Sequence, residues 1–129
     1  MARVQNTKSA LLVRSIDLLM QAREFLFAGD LSLAVEYAYR AALRCAGARV
    51  ADSPVAKRKR KPSNAWEQLA MIDELGKQRA MQFQAFSRIR QRVVAGLRTD
   101  IDEAKVRTLI DAVDEFISEV QYEGTSLAA

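Results

Sequence analysis

The sequence predicts an all-α fold, an antiparallel helical bundle of four long helices plus one short helix. Apolar residues recur at helical spacing along almost the whole chain, and no segment shows the alternation of a credible strand. Both prolines and four of the five glycines fall at breaks in the apolar pattern. With 129 residues, half of them hydrophobic, the chain can bury one core, so we expect a single domain over residues 1–129.

The first two helices are predicted at residues 7–28 and 30–51. Leu12, Ile16 and Leu19 begin an apolar face on the first helix. Asp30 is a plausible N-cap for the second helix. The second helix carries an inner stripe of small residues: Ala34, Ala38, Ala41, Cys45 and Ala48. Small side chains let a neighbouring helix approach closely.

A loop is expected at residues 52–62, followed by a short helix from Asn64. Pro54 and Pro62 bracket the loop, and neither suits a helix interior. Glu67 follows Asn64 at the capping-box spacing, and we expect Trp66 to anchor the core.

The last two helices are predicted at residues 77–95 and 100–122. In the fifth helix, Asp100 and Glu103 form a second capping-box pair. Its apolar seam consists of Val106, Leu109, Val113, Phe116 and Val120, widened by Ile110 and Ile117.

Cysteine and histidine usage excludes several chemistries. The single Cys45 allows no internal disulfide and no Cys-based zinc cluster. Because the chain has no His, it cannot build a Ser-His-Asp or Cys-His nucleophile system alone. We therefore expect no catalytic residues, no metal site and no cofactor. Cys45 lies in the small-residue stripe, which predicts a buried, inert thiol.

Neither the apolar runs nor the acidic residues of the fifth helix indicate a specific function. No run is long enough for a membrane span or an export signal, so we expect a cytoplasmic protein with no membrane span. Asp111 and Glu115 share a face of the fifth helix. We interpret them as part of a solvated acidic face, or in ion pairs such as Arg107 with Asp111.

Net charge is +4, and it is concentrated in one short segment. The adjacent cations are Lys57, Arg58, Lys59, Arg60 and Lys61. The rest of the chain has 15 basic and 16 acidic residues. Five neighbouring cations repel each other, so this basic loop is expected to stay extended and mobile. It is either a contact for RNA, DNA or lipid phosphate, or a solvated linker.

Two further groups are candidate binding residues. Arg88 and Arg92 share a face of the fourth helix and suit an anion. The alternative is that acids such as those of the fifth helix neutralise Arg88, Arg90 and Arg92, in salt bridges within the chain or across a dimer. On the second helix, the candidate interface residues are Tyr37, Tyr39, Arg40 and Arg44. Tyr and Arg are enriched in protein interfaces, and they can also stack on bases.

Residues 30–44 resemble the second helix of HEPN domains. The similarity extends over most of residues 10–121, through the leading helix, the Pro-flanked basic loop, the segment Asn64-Ala65-Trp66-Glu67-Gln68-Leu69 and the last two helices. The chain looks like a small actinobacterial family of standalone HEPN domains. The resemblance implies a bundle of four or five helices, and HEPN relatives commonly pair.

Many HEPN proteins are metal-independent ribonucleases, and this chain departs from their motif. That motif is an Arg followed a few residues later by a His on a late helix. The His serves as a base for the 2′-hydroxyl, and the Arg stabilises phosphate charge. Arg88 or Arg90 stands at the Arg position here. The candidate His positions hold Val93, Val94, Ala95, Gly96 and Leu97, none of which moves a proton.

These observations favour a non-catalytic HEPN-like interaction domain that forms a homodimer or binds another protein. The alternative is an RNA- or DNA-binding module that uses the basic loop. A degenerate HEPN ribonuclease is a third hypothesis, with a Tyr as base. A phenol with a pKa of about 10 is a poor base at neutral pH.

Overall fold

The computed structural model describes residues 2–96 and 101–128, with side chains at 7–96 and 101–123. All regular structure in these ranges is helical, which confirms the predicted fold class. The elements are α1 (Ala2–Phe27), α2 (Leu31–Ala51), a 3-10 turn (Pro54–Lys57), α3 (Ala65–Ala70), α4 (Glu74–Val94) and α5 (Glu103–Ala128). None of the helices in the described residues is long and apolar enough to cross a membrane.

Helices α1 and α2 form a tight antiparallel hairpin. Gly29 makes the turn at a φ of 81°, a conformation that glycine adopts without steric cost. The Asp30 carboxylate then accepts a 3.1 Å hydrogen bond from the backbone N–H of Leu33, as a cap should. The small-residue stripe of α2 is fully buried, as predicted. Inside this contact, the Ser15 hydroxyl donates a 2.7 Å hydrogen bond to the carbonyl of Ala41.

A row of aromatic rings joins α2, α3, α4 and α5. Tyr39 meets Trp66 edge-on, Trp66 stacks on Phe83, and Phe83 stacks on Phe116. The Trp66 indole N–H donates a 2.9 Å hydrogen bond to the Tyr39 hydroxyl. Trp66 is therefore the core anchor that the sequence predicts. The α5 seam is buried in full, with α5 packed against α1 and α2.

The starts of α4 and α5 differ from the prediction. Helix α4 begins three residues early, because the Asp73 carboxylate caps it through the N–H of Gly76 at 2.7 Å. Gly76 lies inside the first turn and does not end a helix. At α5, the Asp102 carboxylate accepts from the N–H of Ala104 at 2.7 Å. The predicted cap Asp100 lies outside the described residues.

The predicted loop at 52–62 is partly ordered by packing. Pro54–Lys57 form one 3-10 turn, and Val55 in that turn is buried. Helix α3 follows as expected, since the Asn64 side chain accepts from the N–H groups of Trp66 and Glu67. The chain leaves the 3-10 turn with Arg58 in an extended conformation.

Candidate interaction surfaces

Arg90, at one of the two candidate positions for a catalytic Arg, is held by a carboxylate of α2. Its Nε donates to Oε1 of Glu36 at 2.7 Å, and its Nη2 donates to Oε2 at 3.1 Å. The Glu36 carboxylate also accepts from Nε of Arg40 at 2.6 Å. The guanidinium of Arg90 lies over the Tyr39 ring, 5.3 Å from its centroid. One carboxylate thus joins two arginines at the contact between α2 and α4.

These contacts shift the pKa values of both partners. Partial burial raises the pKa of Glu36, but the hydrogen bonds from Arg90 and Arg40 outweigh it and leave the pKa below its usual value. The same hydrogen bond raises the pKa of Arg90. The pair is therefore fully ionised at neutral pH.

The predicted ion pairing within the chain holds for Arg90, but its partner is Glu36 of α2 and not an acid of α5. Arg90 pairs with α2, and Arg88 and Arg92 are exposed with no ion pair among the described residues. The α5 acids reach a different arginine: Nε of Arg79 donates to Glu119 at 3.0 Å. Helical spacing shows which residues share a face of a helix, but it does not show which turn of that helix lies beside the neighbouring helix. The pairing of Arg79 with α5 was therefore missed.

The candidate His positions of the expected ribonuclease motif lie at the end of α4 and just beyond it. The helix ends at Val94, and Ala95 is its C-cap. Gly96 follows at a φ of 71°. Val94 is exposed, and Leu97 lies outside the described residues. No proton-transfer group stands at positions 93–96.

The five cations of the basic loop are all exposed. Within the described part of the chain, none of them pairs with a carboxylate, and Lys61 donates to the carbonyl of Ala56 at 2.8 Å. The loop leaves the C-terminal end of α2 and returns along that helix to α3, whose Trp66 contacts Tyr39. Arg88 and Arg92 lie together on α4, and neither they nor the loop cations pair with a carboxylate among the described residues.

The α2 candidates divide between core and surface. Tyr39 is only 5% exposed, so the expectation of an interface role for it is wrong. Its ring is covered by Trp66, because α3 docks on that side of α2. Tyr37 is half-buried, with its ring centroid 5.0 Å from that of Phe25. Arg40 and Arg44 are exposed, and Arg40 lies over the Tyr37 ring at 5.2 Å.

A line of exposed apolar side chains on α1 was missed from the sequence. Val13, Met20 and Phe27 are 67%, 55% and 96% exposed. They are seven residues apart, so they follow one line along about 21 Å of helix. We call these three residues the α1 stripe. The seven-residue spacing was the available signal, but the broader inner face of α1 concealed it.

The remaining candidate groups are the thiol of Cys45, the ion pairs of α5 and possible metal ligands. Cys45 is buried, and desolvation raises the pKa of its thiol well above the usual value, as an inert thiol requires. Arg107 pairs with Glu103 at 3.4 Å, so the expected pair with Asp111 is wrong. Among the described residues, no group of three or more Cys, Asp or Glu side chains is placed to hold a metal ion.

Comparison with protein families gives one match. The model of the SAV_6107-like HEPN family matches residues 32–121, which is more than half of the chain. The matched range begins in the first turn of α2 and ends near the last described side chains of α5. No curated protein and no solved structure matches this chain significantly.

Proposed function

The chain belongs to the SAV_6107-like HEPN family, and we propose that it is a non-catalytic interaction domain that pairs with a second copy of itself. The observation that carries the proposal is the α1 stripe. Large apolar side chains that are exposed along one line of a helix favour association, and here the exposed Asp17 and Glu24 lie between them. Phe27, at 96% exposed, has nothing over it in a single chain.

A lack of ribonuclease chemistry is supported by the end of α4. Cleavage at a 2′-hydroxyl needs a base and a cation that is available to the phosphate. Arg90 has its charge offset by Glu36, whereas Arg88 is exposed and has no ion pair among the described residues. The missing part is therefore the base, because the sequence has no His. Positions 93–96 hold Val, Val, Ala and Gly, which transfer no proton.

The pairing is tested by light scattering on the purified chain at tens of micromolar. The wild type is expected at twice the mass of one chain. Met20→Glu places a charge in the middle of the α1 stripe, and burying an unpaired charge is costly, so this variant is expected as a monomer. Met81→Glu is the matched control, because Met81 is exposed to a similar degree (65%) on α4. A monomeric wild type, or a dimeric Met20→Glu variant, contradicts the proposal.

The non-catalytic part is tested by incubating the chain with mixed RNA. The RNA is expected to remain as intact as in buffer. Cleavage by the wild type that is lost in Arg90→Ala or Arg88→Ala overturns this part and revives the ribonuclease hypothesis.

A second candidate function, RNA binding by the basic loop, is favoured by one observation. Its five exposed cations pair with no carboxylate in the described chain, so their charge is available to phosphate. Binding to single-stranded RNA is then expected to weaken with salt at a log–log slope of about −3.5, or about −0.7 for each of five phosphates.

Fluorescence anisotropy with a short single-stranded RNA at two salt concentrations tests this candidate. A variant with all five loop cations changed to Ser or Gln is expected to lose binding. A variant with the exposed Lys77 and Lys105 changed to Gln serves as control. Equal affinity of wild type and loop variant eliminates the loop as the site.

A further inference from the structure

We propose that the groove between the outer sides of α1 and α2 binds an acidic amphipathic helix of a partner protein. The inference rests on the proposed role as an interaction domain and names its second surface. The groove residues, which we call the arginine groove, are Leu11, Arg14, Leu18, Arg40, Leu43, Arg44 and Gly47.

The floor of the arginine groove is aliphatic. Leu11 and Leu43 are half-buried, Leu18 is buried beneath them, and Gly47 leaves the centre open. A Cβ on Gly47 would meet only Leu11, at an ordinary contact distance of 3.5 Å. The floor thus offers apolar surface along about 10 Å of each helix, or two turns.

Both edges of the groove are cationic. Arg14 lies on the α1 edge and is bound only by Asp17, at 3.4 Å. Arg40 lies on the α2 edge and shares the carboxylate of Glu36 with Arg90. Arg44, also on the α2 edge, has no ion pair among the described residues. The positive charge that the chain does not offset at these edges is that of Arg44 and the one net charge of the group formed by Glu36, Arg40 and Arg90.

An aliphatic floor with arginines at both edges fits a helix better than a nucleic acid. Single-stranded nucleic acid binds where aromatic rings stack on bases, and the groove has no aromatic residue in its lining. A third helix packs readily into the furrow between two antiparallel helices. Apolar anchors on such a helix would meet the leucines, while Asp or Glu beside the anchors would meet the three arginines.

The arginine groove and the α1 stripe lie on different sides of α1. At 3.6 residues per turn, the groove positions 11, 14 and 18 are centred roughly 150° from positions 13, 20 and 27. A dimer formed through the α1 stripe thus leaves the groove open, and the two surfaces can be tested separately.

The test is selection from a displayed library of helical peptides on the full chain. Each peptide carries leucines at positions i, i+3, i+4 and i+7, with the flanking positions randomised among Glu, Asp, Lys, Arg and Gln. The wild type is expected to enrich Glu and Asp at the flanks. Arg40→Gln/Arg44→Gln is expected to weaken a selected peptide by about tenfold. Gly47→Leu fills the groove without changing its charge and is expected to abolish binding.

Arg88→Gln/Arg92→Gln is the matched control, since these are also exposed arginines four residues apart on a helix. It is expected to bind the selected peptide as the wild type does. The Met20→Glu variant is expected to be monomeric and to bind the selected peptide as the wild type does. Failure of the proposed pairing is therefore distinguishable from failure of the groove to bind a helix.

Three results overturn the proposal. The first is a selection that enriches no peptides, or that enriches peptides without Glu and Asp at the flanking positions. A second is binding of a single-stranded RNA that depends on Arg40 and Arg44 when no acidic helix is selected, which assigns the groove to nucleic acid. The third is a change of oligomeric state in Arg40→Gln/Arg44→Gln, which assigns the groove to a second copy of the chain.

Discussion

Glu36 is the residue on which the α2–α4 contact depends most. Its carboxylate accepts from Arg90 and Arg40, and its side chain is only 12% exposed. Removing the charge leaves two guanidinium groups close together without the anion between them. Charged hydrogen bonds of this type contribute more than neutral ones, because low local exposure reduces solvent screening.

Glu36→Gln is therefore expected to destabilise the fold by about 1–2 kcal/mol at pH 7. The folded-state pKa of Glu36 lies below its ordinary value of 4.5. Its contribution is thus present above that value and is lost as pH falls through the lower folded-state pKa. Urea unfolding of both proteins at several pH values measures this. An equal difference at every pH from 7 to below 4.5 contradicts the assignment.

The Tyr39 hydroxyl gives a second prediction at this scale. Tyr39→Phe leaves the buried indole N–H of Trp66 without its acceptor, which costs about 1–2 kcal/mol. Tyr37→Phe is the control, because the Tyr37 hydroxyl makes no hydrogen bond among the described residues and its removal is expected to change little. Equal urea midpoints for the two variants contradict the role given to Tyr39.

The burial of Tyr39 could not be predicted from the spacing of residues along α2. A helical wheel correctly predicts that the small-residue stripe is buried. It cannot say which flank of α2 the short helix α3 will cover, because that depends on how residues 52–64 return along α2. Glu36 and Arg40 stand four residues apart and signal an ion pair, whereas Arg90 comes to them from 50 residues or more away and gives no local signal.

At the scale of the element, glycine position decides how α3 and α4 meet. The Cβ of an alanine at Gly76 would overlap the carbonyl oxygen of Leu69. Only a glycine lets the first turn of α4 approach the end of α3 this closely. A glycine in a helix usually signals its end, so the pattern alone gave the wrong boundary.

Gly76→Ala is expected to destabilise the protein by about 1–3 kcal/mol, although alanine is the better helix former. Gly47→Ala is the matched substitution on α2, where the new Cβ makes only an ordinary contact with Leu11. That change is expected to stabilise the protein by about 0.5–1 kcal/mol. Thermal unfolding of the two variants gives the signs. The same sign for both contradicts the packing described here.

At the scale of the whole molecule, helical periodicity and Pro/Gly punctuation were enough to give the fold. The α5 seam, the small-residue stripe and the cap at Asp30 all stand where the spacing predicts. The surfaces were harder to predict. Exposure of the α1 stripe follows from where α5 crosses α1, and the pairing of Arg90 with Glu36 follows from how α4 packs on α2.

The proposed function joins these surfaces through association. A stripe of three exposed apolar side chains on α1 suits a partner copy, and the arginine groove on another side of α1 suits an acidic helix. A domain that presents both surfaces is expected to act as an adaptor between a dimer and its partners.

Oxidative cross-linking tests the central claim, pairing through the α1 stripe, most directly. Single cysteines are placed at Val13, Met20 or Phe27, and at Met81 as control, while the buried Cys45 stays unreactive. At least one α1 variant is expected to form a cross-linked dimer much faster than the Met81→Cys variant, because its thiol faces that of the second copy. Equal rates at all four positions would show that copies meet only by random collision, and would contradict the account.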